Sequence, residues 1–139
     1  MLHTPAFRRS YIGICVGAFA AASGEMSWPL GPCPDSRIRQ QVCAQGLPAY
    51  TDYQVLEEKN GLSVVRFYLR SGRTHQIRVH TAYAGHPLLG DFLYGQECPT
   101  LIDRPALHSA QAELIHPLSG ESLFFQAPLP ADMKKVLAR

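Results

Sequence analysis

Two neighbouring segments in which polar and apolar residues alternate predict a β-hairpin in the middle of the chain. Tyr50 to Leu56 and Ser63 to Arg70 have the period of strands, and Asn60-Gly61 between them is a typical hairpin turn. Alternate residues of the second strand share a face, with Val65, Phe67 and Leu69 on one side and Arg66, Tyr68 and Arg70 on the other. The pattern therefore predicts a buried face and an opposite basic, aromatic face.

The remaining pattern predicts two helices and further strands. A helix of about ten residues fits between Thr74 as N-cap and Gly85 as the residue after its C-cap. Met133, Val136 and Leu137 follow Pro130 at helical spacing. Two more strands are predicted at 107–115 and 123–126, joined by residues 116–121, whereas 21–46 has the Pro, Gly and Ser content of an extended connector. We therefore expect an α+β fold with a mixed, mainly antiparallel sheet and flanking helices.

The first 25 residues fit two interpretations. Arg8 and Arg9, followed by an apolar run with the small-residue pattern Ala18-Phe19-Ala20, are typical of an export signal. The segment from Tyr11 to Val16 is equally typical of a buried strand, and the pattern alone does not decide between the two. A membrane span is not expected, because the 12 residues of Tyr11–Ala22 fall short of the ~20 required.

Composition and charge exclude several classes of protein. With 46% hydrophobic and 17% charged residues, the chain can form a hydrophobic core and is not a disordered tail. The four cysteines contain no Cys-x-x-Cys pair, so they indicate reduced thiols in a cytoplasmic protein rather than a zinc or redox motif. The formal charge of +2 is too small to indicate a nucleic-acid partner by itself.

The distribution of charge is more informative than its sum. Residues 61–90 contain four Arg and three His but no Asp or Glu. Arginines interleaved with aromatic residues suit a surface that binds phosphates and bases, although a solvated basic face gives the same pattern. His75 and His80 do not share a helix face at ligand spacing, and no Gly-x-Ser-x-Gly motif occurs, so neither a metal site nor a serine triad is predicted.

Several motifs resemble the RluA-like family of RNA pseudouridine synthases, and they occur in the family's order. They are Gly72-Arg-Thr-His-Gln-Ile-Arg-Val-His80, Gly85-His-Pro-Leu-Leu-Gly-Asp91, Tyr94-Gly95, Ala106-Leu-His108, Ile115-His-Pro-Leu-Ser-Gly-Glu121 and Ala127-Pro-Leu-Pro-Ala-Asp-Met133. The family also has a strand that carries a basic residue, then Tyr, then an apolar run that ends in Gly. Arg9-Ser10-Tyr11 through Gly17 is similar to it, which favours the strand over the export signal.

The resemblance implies an enzyme that converts uridine to pseudouridine in ribosomal or transfer RNA without metal or cofactor. By motif match, Tyr11 is the tyrosine that stacks on the base, and Arg78 is the partner of the catalytic Asp. Arg73 is the alternative partner, or a phosphate contact. RNA is the expected partner, and the residues predicted to bind it are Arg66, Arg70, Arg73, His75 and Gln76.

One element of the family pattern is absent from these residues. The family's catalytic Asp lies in an Arg-Leu-Asp segment upstream of the Tyr strand, and the sequence contains no Arg-Leu-Asp. We therefore expect residues 1–139 to be the C-terminal portion of one catalytic domain, inactive by itself. The alternative is a non-catalytic RNA-binding remnant of the family. A partial domain is also expected to expose a sheet edge through which two chains can pair.

Overall fold

A six-stranded sheet in the order β2-β5-β6-β1-β7-β8 forms the centre of the protein. The computed structural model describes residues 7–115 and 122–138. The strands of this sheet are β1 (Phe7–Val16), β2 (Ser23–Met26), β5 (Thr51–Lys59), β6 (Leu62–Leu69), β7 (Leu107–Ile115) and β8 (Ser122–Gln126). A separate ribbon consists of β3 (Leu30–Pro32) and β4 (Gln40–Val42), and the helices are α1 (Gln76–Tyr83) and α2 (Ala131–Leu137). The α+β prediction is confirmed, and every strand pairing among the described residues is antiparallel.

The predicted hairpin is β5 and β6, joined by a two-residue turn. Asn60 and Gly61 have φ angles of 54° and 77°, which place both in the left-handed region. A two-residue turn of this type matches the twist of the paired strands and favours Asn-Gly for that reason. The hairpin and its turn are therefore confirmed. The predicted joint at 116–121 between β7 and β8 lies outside the described residues.

Both faces of the sheet are covered along part of their length. Val65 and Phe67 are fully buried in a cluster that includes Ile77 of α1, as the alternation predicts. On the opposite face, Val64 belongs to a second cluster with Met133 of α2. The face predicted to be basic and aromatic is therefore partly covered, because α2 packs over its far end.

β1 lies between β6 and β7, which explains its apolar sequence. Tyr11 pairs with Phe67 on one side and Ser109 on the other. Ile14 and Cys15 are fully buried because each face of this central strand meets one of the two clusters. The strand prediction for Tyr11–Val16 is confirmed. Among the described residues, the helices are all too short or too polar to span a membrane.

Helix α1 ends as predicted but begins one residue later than predicted. Gly85 follows the C-cap with φ of 90°, the left-handed conformation that glycine adopts without strain. The N-cap is His75 at φ 55°, not Thr74, and no side chain caps this end by hydrogen bonding. The Gln76 side chain instead accepts a hydrogen bond from the Arg73 backbone N–H and closes the preceding turn.

The connector predicted for residues 21–46 contains three strands, so that prediction is wrong in part. β2 pairs with β5 from Ser23↔Gln54 to Met26↔Thr51 and forms one edge of the sheet. In the ribbon, Gly46 lies so close to Leu30 that a Cβ atom added to Gly46 would be 2.5 Å from the Leu30 carbonyl carbon. The Pro, Gly and Ser content was interpreted as an extended connector, but here Gly46 permits a close approach of two backbone segments.

Candidate active site

A buried ion pair joins α1 to the loop that follows it. Arg78 donates two hydrogen bonds to Asp91, from Nη2 to Oδ1 at 2.8 Å and from Nε to Oδ2 at 3.0 Å. The Asp91 side chain is fully buried, and 15% of the Arg78 side chain is exposed. These hydrogen bonds raise the pKa of Arg78 above its ordinary value, and partial burial acts in the opposite direction. The guanidinium is therefore charged and fixed in orientation.

Asp91 is held by the backbone as well as by Arg78. Its Oδ1 also accepts hydrogen bonds from the backbone N–H groups of Leu93 and Tyr94, at 3.1 and 3.2 Å. Backbone donors of this kind favour a charged carboxylate that is out of contact with water. Asp91 is therefore a rigid anchor for Arg78.

Two aromatic rings flank the Arg78 guanidinium. Its Cζ lies 5.5 Å from the ring centre of Phe92 and 5.2 Å from that of Tyr94. At these distances a cation is attracted to the ring face. Among the described residues, Arg78 Nη1 donates no hydrogen bond, so this edge of the guanidinium is available to a second acceptor.

Tyr94 links this arginine to the β3–β4 ribbon. Its hydroxyl accepts a hydrogen bond from the Gln40 backbone N–H at 2.9 Å and is 2.7 Å from His75 Nδ1. Burial, and then the charge of Arg78, lower the pKa of His75. A lowered pKa favours the neutral imidazole at pH 7, so an RNA contact by His75 stays a prediction and would be a hydrogen bond rather than an ion pair.

His80, in contrast, is a structural residue of the core. The imidazole is fully buried and lies 2.8 Å from the Trp28 carbonyl oxygen and 2.9 Å from Thr51 Oγ1. Because a carbonyl only accepts, Nε2 carries the proton and Nδ1 accepts from the Thr51 hydroxyl. Among the described residues no group of three or more His, Cys, Asp or Glu is arranged to hold a metal ion.

Tyr11 lies on the same face of the sheet as α1. Its half-buried side chain packs against the cluster that contains Phe67 and Ile77, and Arg78 directly follows Ile77 in the helix. The sheet order explains this arrangement, because β1 and β6 are adjacent and α1 covers their shared face. The structure therefore places Tyr11 and the helix that carries Arg78 on the same face of the sheet.

Gln76 was predicted to contact RNA, and the structure places it in the interior rather than at the surface. The side chain is buried and uses both ends of its amide inside the protein. Its Nε2 donates to the Tyr50 carbonyl and to Thr51 Oγ1, and its Oε1 accepts from Ser71 Oγ and the Arg73 N–H. A polar residue with every hydrogen bond satisfied in the interior has no surface to offer a ligand. Gln76 instead fixes the turn that carries Arg73.

The four arginines of the acid-free segment separate in the fold. Arg70 forms ion pairs with Glu25 and Asp52, which come from β2 and β5, so it is already neutralised within the protein. Arg66 is half-buried and pairs with Ile12 across the strands, which places it on the face opposite Tyr11 and α1. The prediction that Arg66 and Arg70 line one RNA surface with Arg73 is therefore not supported.

Arg73 retains the features of an anion contact. Its Nε donates to the Pro48 carbonyl at 2.8 Å, which fixes the side chain. Its terminal nitrogens make no hydrogen bond or ion pair with the described residues. Of the arginines predicted to bind RNA, Arg73 is thus the one that is both fixed in place and on the side of the sheet that carries α1.

The sequence interpretation missed three contributors to this site. Asp91 and Tyr94 occur in quoted motifs but received no role, although their proximity to Gly90 and Gly95 marks a turn in which side chains can converge. Arg39 has its Cζ 5.8 Å from the Tyr94 ring centre, and no sequence motif indicated that it belongs to the site. The separation of 55 positions between Arg39 and Tyr94 is bridged only by the folding of the ribbon onto α1 and the following loop.

Comparison with known proteins identifies the family. The family model described as RNA pseudouridylate synthase matches residues 2–83. The chain belongs to this family. The match contains β1, the hairpin and α1, and therefore Tyr11, Arg73 and Arg78.

Individual members of the RNA pseudouridylate synthase family are similar over nearly the whole chain. The uncharacterized RNA pseudouridine synthase YjbO of Bacillus subtilis is 44% identical over 133 residues, which are 94% of this chain and 46% of YjbO. Ribosomal large subunit pseudouridine synthase D of Nitrosomonas europaea is 40% identical over 138 residues, 94% of this chain and 40% of that protein. The chain thus spans less than half the length of these relatives.

A solved structure agrees with the fold. Human RNA Pseudouridylate Synthase Domain Containing 1 superposes with a TM-score of 0.75 at 27% sequence identity, over 88% of this chain and 55% of that one. The six-stranded sheet with its two helices is therefore an arrangement that a solved member of the family shares.

Proposed function

We propose that this chain acts in the isomerisation of uridine to pseudouridine in ribosomal or transfer RNA, without metal or organic cofactor. The observation that carries this proposal is the Arg78 guanidinium, which Asp91 orients and which belongs to a helix that packs on the same face of the sheet as Tyr11. Family membership supports the reaction class. Arg73 supports RNA as the partner, because Pro48 fixes its Nε while its terminal nitrogens have no partner among the described residues.

In the proposed reaction, Arg78 and Tyr11 have different roles. Arg78 Nη1 donates to the carboxylate of the catalytic Asp, while Nε and Nη2 remain on Asp91. The half-buried Tyr11 ring stacks on the extruded uracil, which detaches, rotates and rejoins through carbon. A charged partner is needed here because a carboxylate out of contact with water is unstable alone.

We propose further that the 139 residues do not turn over RNA by themselves. The sequence has no Arg-Leu-Asp segment to supply the nucleophile. Three of the five aspartates present are already engaged: Asp91 is fully buried with its oxygens bound to Arg78, Asp52 is paired with Arg70, and Asp132 is paired with Arg104. The absence of an Arg-Leu-Asp segment from this sequence also favours the second candidate, a non-catalytic module that binds RNA through Arg73.

A chimeric enzyme tests the two candidates directly. These residues would replace the matching region of ribosomal large subunit pseudouridine synthase D of Nitrosomonas europaea, so that the upstream part of that protein supplies its own segment. The chimera is expected to form pseudouridine in a ribosomal RNA transcript, and the 139-residue chain alone is not. A chimera that binds the transcript but leaves uridine unconverted would favour the non-catalytic module. Turnover by the isolated chain would refute the proposed need for a second segment.

Arg78 has a matched control in this test. Arg104 forms a bidentate pair of the same kind with Asp132 on the surface. Arg78→Ala is expected to reduce turnover of bound RNA by about 100-fold or more with little loss of RNA affinity, whereas Arg104→Ala changes neither. If Arg78→Ala weakens binding while bound RNA reacts normally, Arg78 is a phosphate contact.

We also propose self-association and a cytoplasmic location. β8 ends one side of the described sheet, so its outer backbone groups can pair with a second chain. Sedimentation of the chain over a range of concentrations would detect such dimers. All four cysteines are free thiols, which suits a reducing compartment.

A further inference from the structure

A second pocket lies beside the candidate active site. It has a volume of about 540 Å³ and opens between the β3–β4 ribbon and the turn of Gly72, Arg73 and Thr74. A hydrogen bond ties the pocket to the active site, from the backbone N–H of Gln40, in the pocket wall, to the Tyr94 hydroxyl at 2.9 Å. Small-molecule sites in proteins have volumes in this range, roughly 300–1,000 Å³.

One side of this pocket presents a fixed positive charge. Arg73 is held by its Nε on the Pro48 carbonyl and by its backbone N–H on Gln76, at 2.8 and 3.0 Å. Its terminal nitrogens have no partner among the described residues. Arg37, Arg39 and Asp35 lie exposed on the adjoining ribbon loop, which therefore adds a net positive charge near the pocket. A fixed guanidinium in such surroundings is suited to a phosphate group.

The opposite side combines polar amides with an apolar wall. The side-chain amides of Gln40 and Gln45 line the pocket and make no hydrogen bond with the described residues. Leu47 is 60% exposed, yet its backbone exchanges two hydrogen bonds with Leu30 at 2.8 and 3.0 Å. The backbone that carries this exposed side chain is therefore held in place at the pocket wall. Free amides beside an exposed apolar side chain suit the edge and the face of a nucleobase.

We propose that this pocket binds one unpaired nucleotide of the RNA on which the neighbouring Arg78 site acts. Its phosphate contacts Arg73, its base lies on Leu47, and the amides of Gln40 and Gln45 bind the edge of the base. This inference rests on the proposed function. It adds a second nucleotide position, so that the enzyme recognises unpaired RNA next to the target uridine as well as the uridine itself.

Binding of mononucleotides to the 139-residue chain tests the pocket without any turnover. The probes are 5′-UMP, 5′-AMP, ribose 5-phosphate and inorganic phosphate, followed through the backbone amide signals of the labelled chain. We expect one of the two nucleotides to bind at least about tenfold more tightly than ribose 5-phosphate and to shift the signals of Gly31, Gly46 and Thr74. Equal affinities would show a phosphate site only and overturn the proposal. So would the absence of shifts at these amides up to ~10 mM nucleotide.

The ribbon offers a matched pair of substitutions. Gln40 lines the pocket, whereas Gln41, its neighbour on the strand, does not. Gln40→Ala keeps the backbone N–H that binds Tyr94. We expect Gln40→Ala to weaken nucleotide binding about fivefold or more and Gln41→Ala to leave it unchanged. Equal effects of the two substitutions would refute the assigned role of the amide.

The chimeric enzyme separates this proposal from the proposed function. In the chimera, Gln40→Ala is expected to raise KM for RNA several-fold and to leave kcat nearly unchanged, because Gln40 does not contact the reacting base. A chimera that converts uridine while its pocket binds no nucleotide refutes the pocket alone. Nucleotide binding in a chimera that converts no uridine supports the pocket and contradicts the synthase.

Discussion

Asp91→Asn tests whether the buried ion pair with Arg78 holds the candidate active site in place. The substitution keeps the size of the side chain and one acceptor oxygen. It replaces the other oxygen by an NH₂ group, which faces a donor nitrogen of Arg78 and leaves that guanidinium without a countercharge. Because Asp91 is fully buried, water does not restore the lost interaction.

The expected cost follows from this burial. Removal of one partner of a buried ion pair costs about 3–5 kcal/mol. Arg78 is 15% exposed and regains some solvation, so we expect about 3 kcal/mol, near the lower end of that range. For a domain of this length that corresponds to a fall in Tm of roughly 10 °C.

Asp132→Asn is the matched control. Asp132 accepts two hydrogen bonds from Arg104, both at 2.9 Å, but the two side chains are 38% and 37% exposed. Exposed pairs contribute about 0–1 kcal/mol, so this variant is expected to unfold within about 1 kcal/mol of the parent chain. Urea unfolding followed by the fluorescence of Trp28, the single tryptophan, measures both variants. Equal losses of stability in the two variants would refute the reasoning from burial.

Three further predictions concern pH and backbone packing. Burial lowers the pKa of His80, and the Trp28 carbonyl opposes this effect in part, so the unfolded chain takes up the proton first on acidification. The free energy of unfolding should fall as the pH drops below ~6.5 and stay level above it; greater stability at pH 5.5 than at 7.5 in urea titrations would contradict this. Gly46→Ala should cost about 2 kcal/mol or more in the same assay, since its Cβ would lie 2.5 Å from the Leu30 backbone. Gly61→Asn, at a left-handed turn position with no atom within 4 Å of an added Cβ, should change stability by less than about 1 kcal/mol, and a larger loss would argue against the turn geometry.

Local patterns predicted most of the secondary structure because they report on neighbouring residues. Strand alternation located the hairpin, and Gly85 located the end of α1, since each depends on residues only a few positions apart. The ribbon was missed because its two strands have three residues each and owe their order to contacts with distant segments. One such contact is the hydrogen bond from Gln40 to Tyr94, which are 54 positions apart.

The site was predicted less completely than the fold. Tyr11 and Arg78 were selected by motif, and the structure places Tyr11 and the helix that carries Arg78 on one face of the sheet. Gln76 lies within the same motif yet is buried, because a motif does not distinguish residues that contact a ligand from residues that hold the turn.

The sequence by itself determined the family, the hairpin, the central strand and the two helices, and it selected Tyr11 and Arg78 as candidate site residues. Only the tertiary structure decided which charges remain free. Residues 61–90 contain no acid, but Glu25, Asp52 and Asp91 reach into that region from β2, β5 and the loop after α1 and pair with Arg70 and Arg78. The physical reason is that charge interactions depend on distance in space, whereas hydrophobic periodicity depends only on the order of residues along the chain.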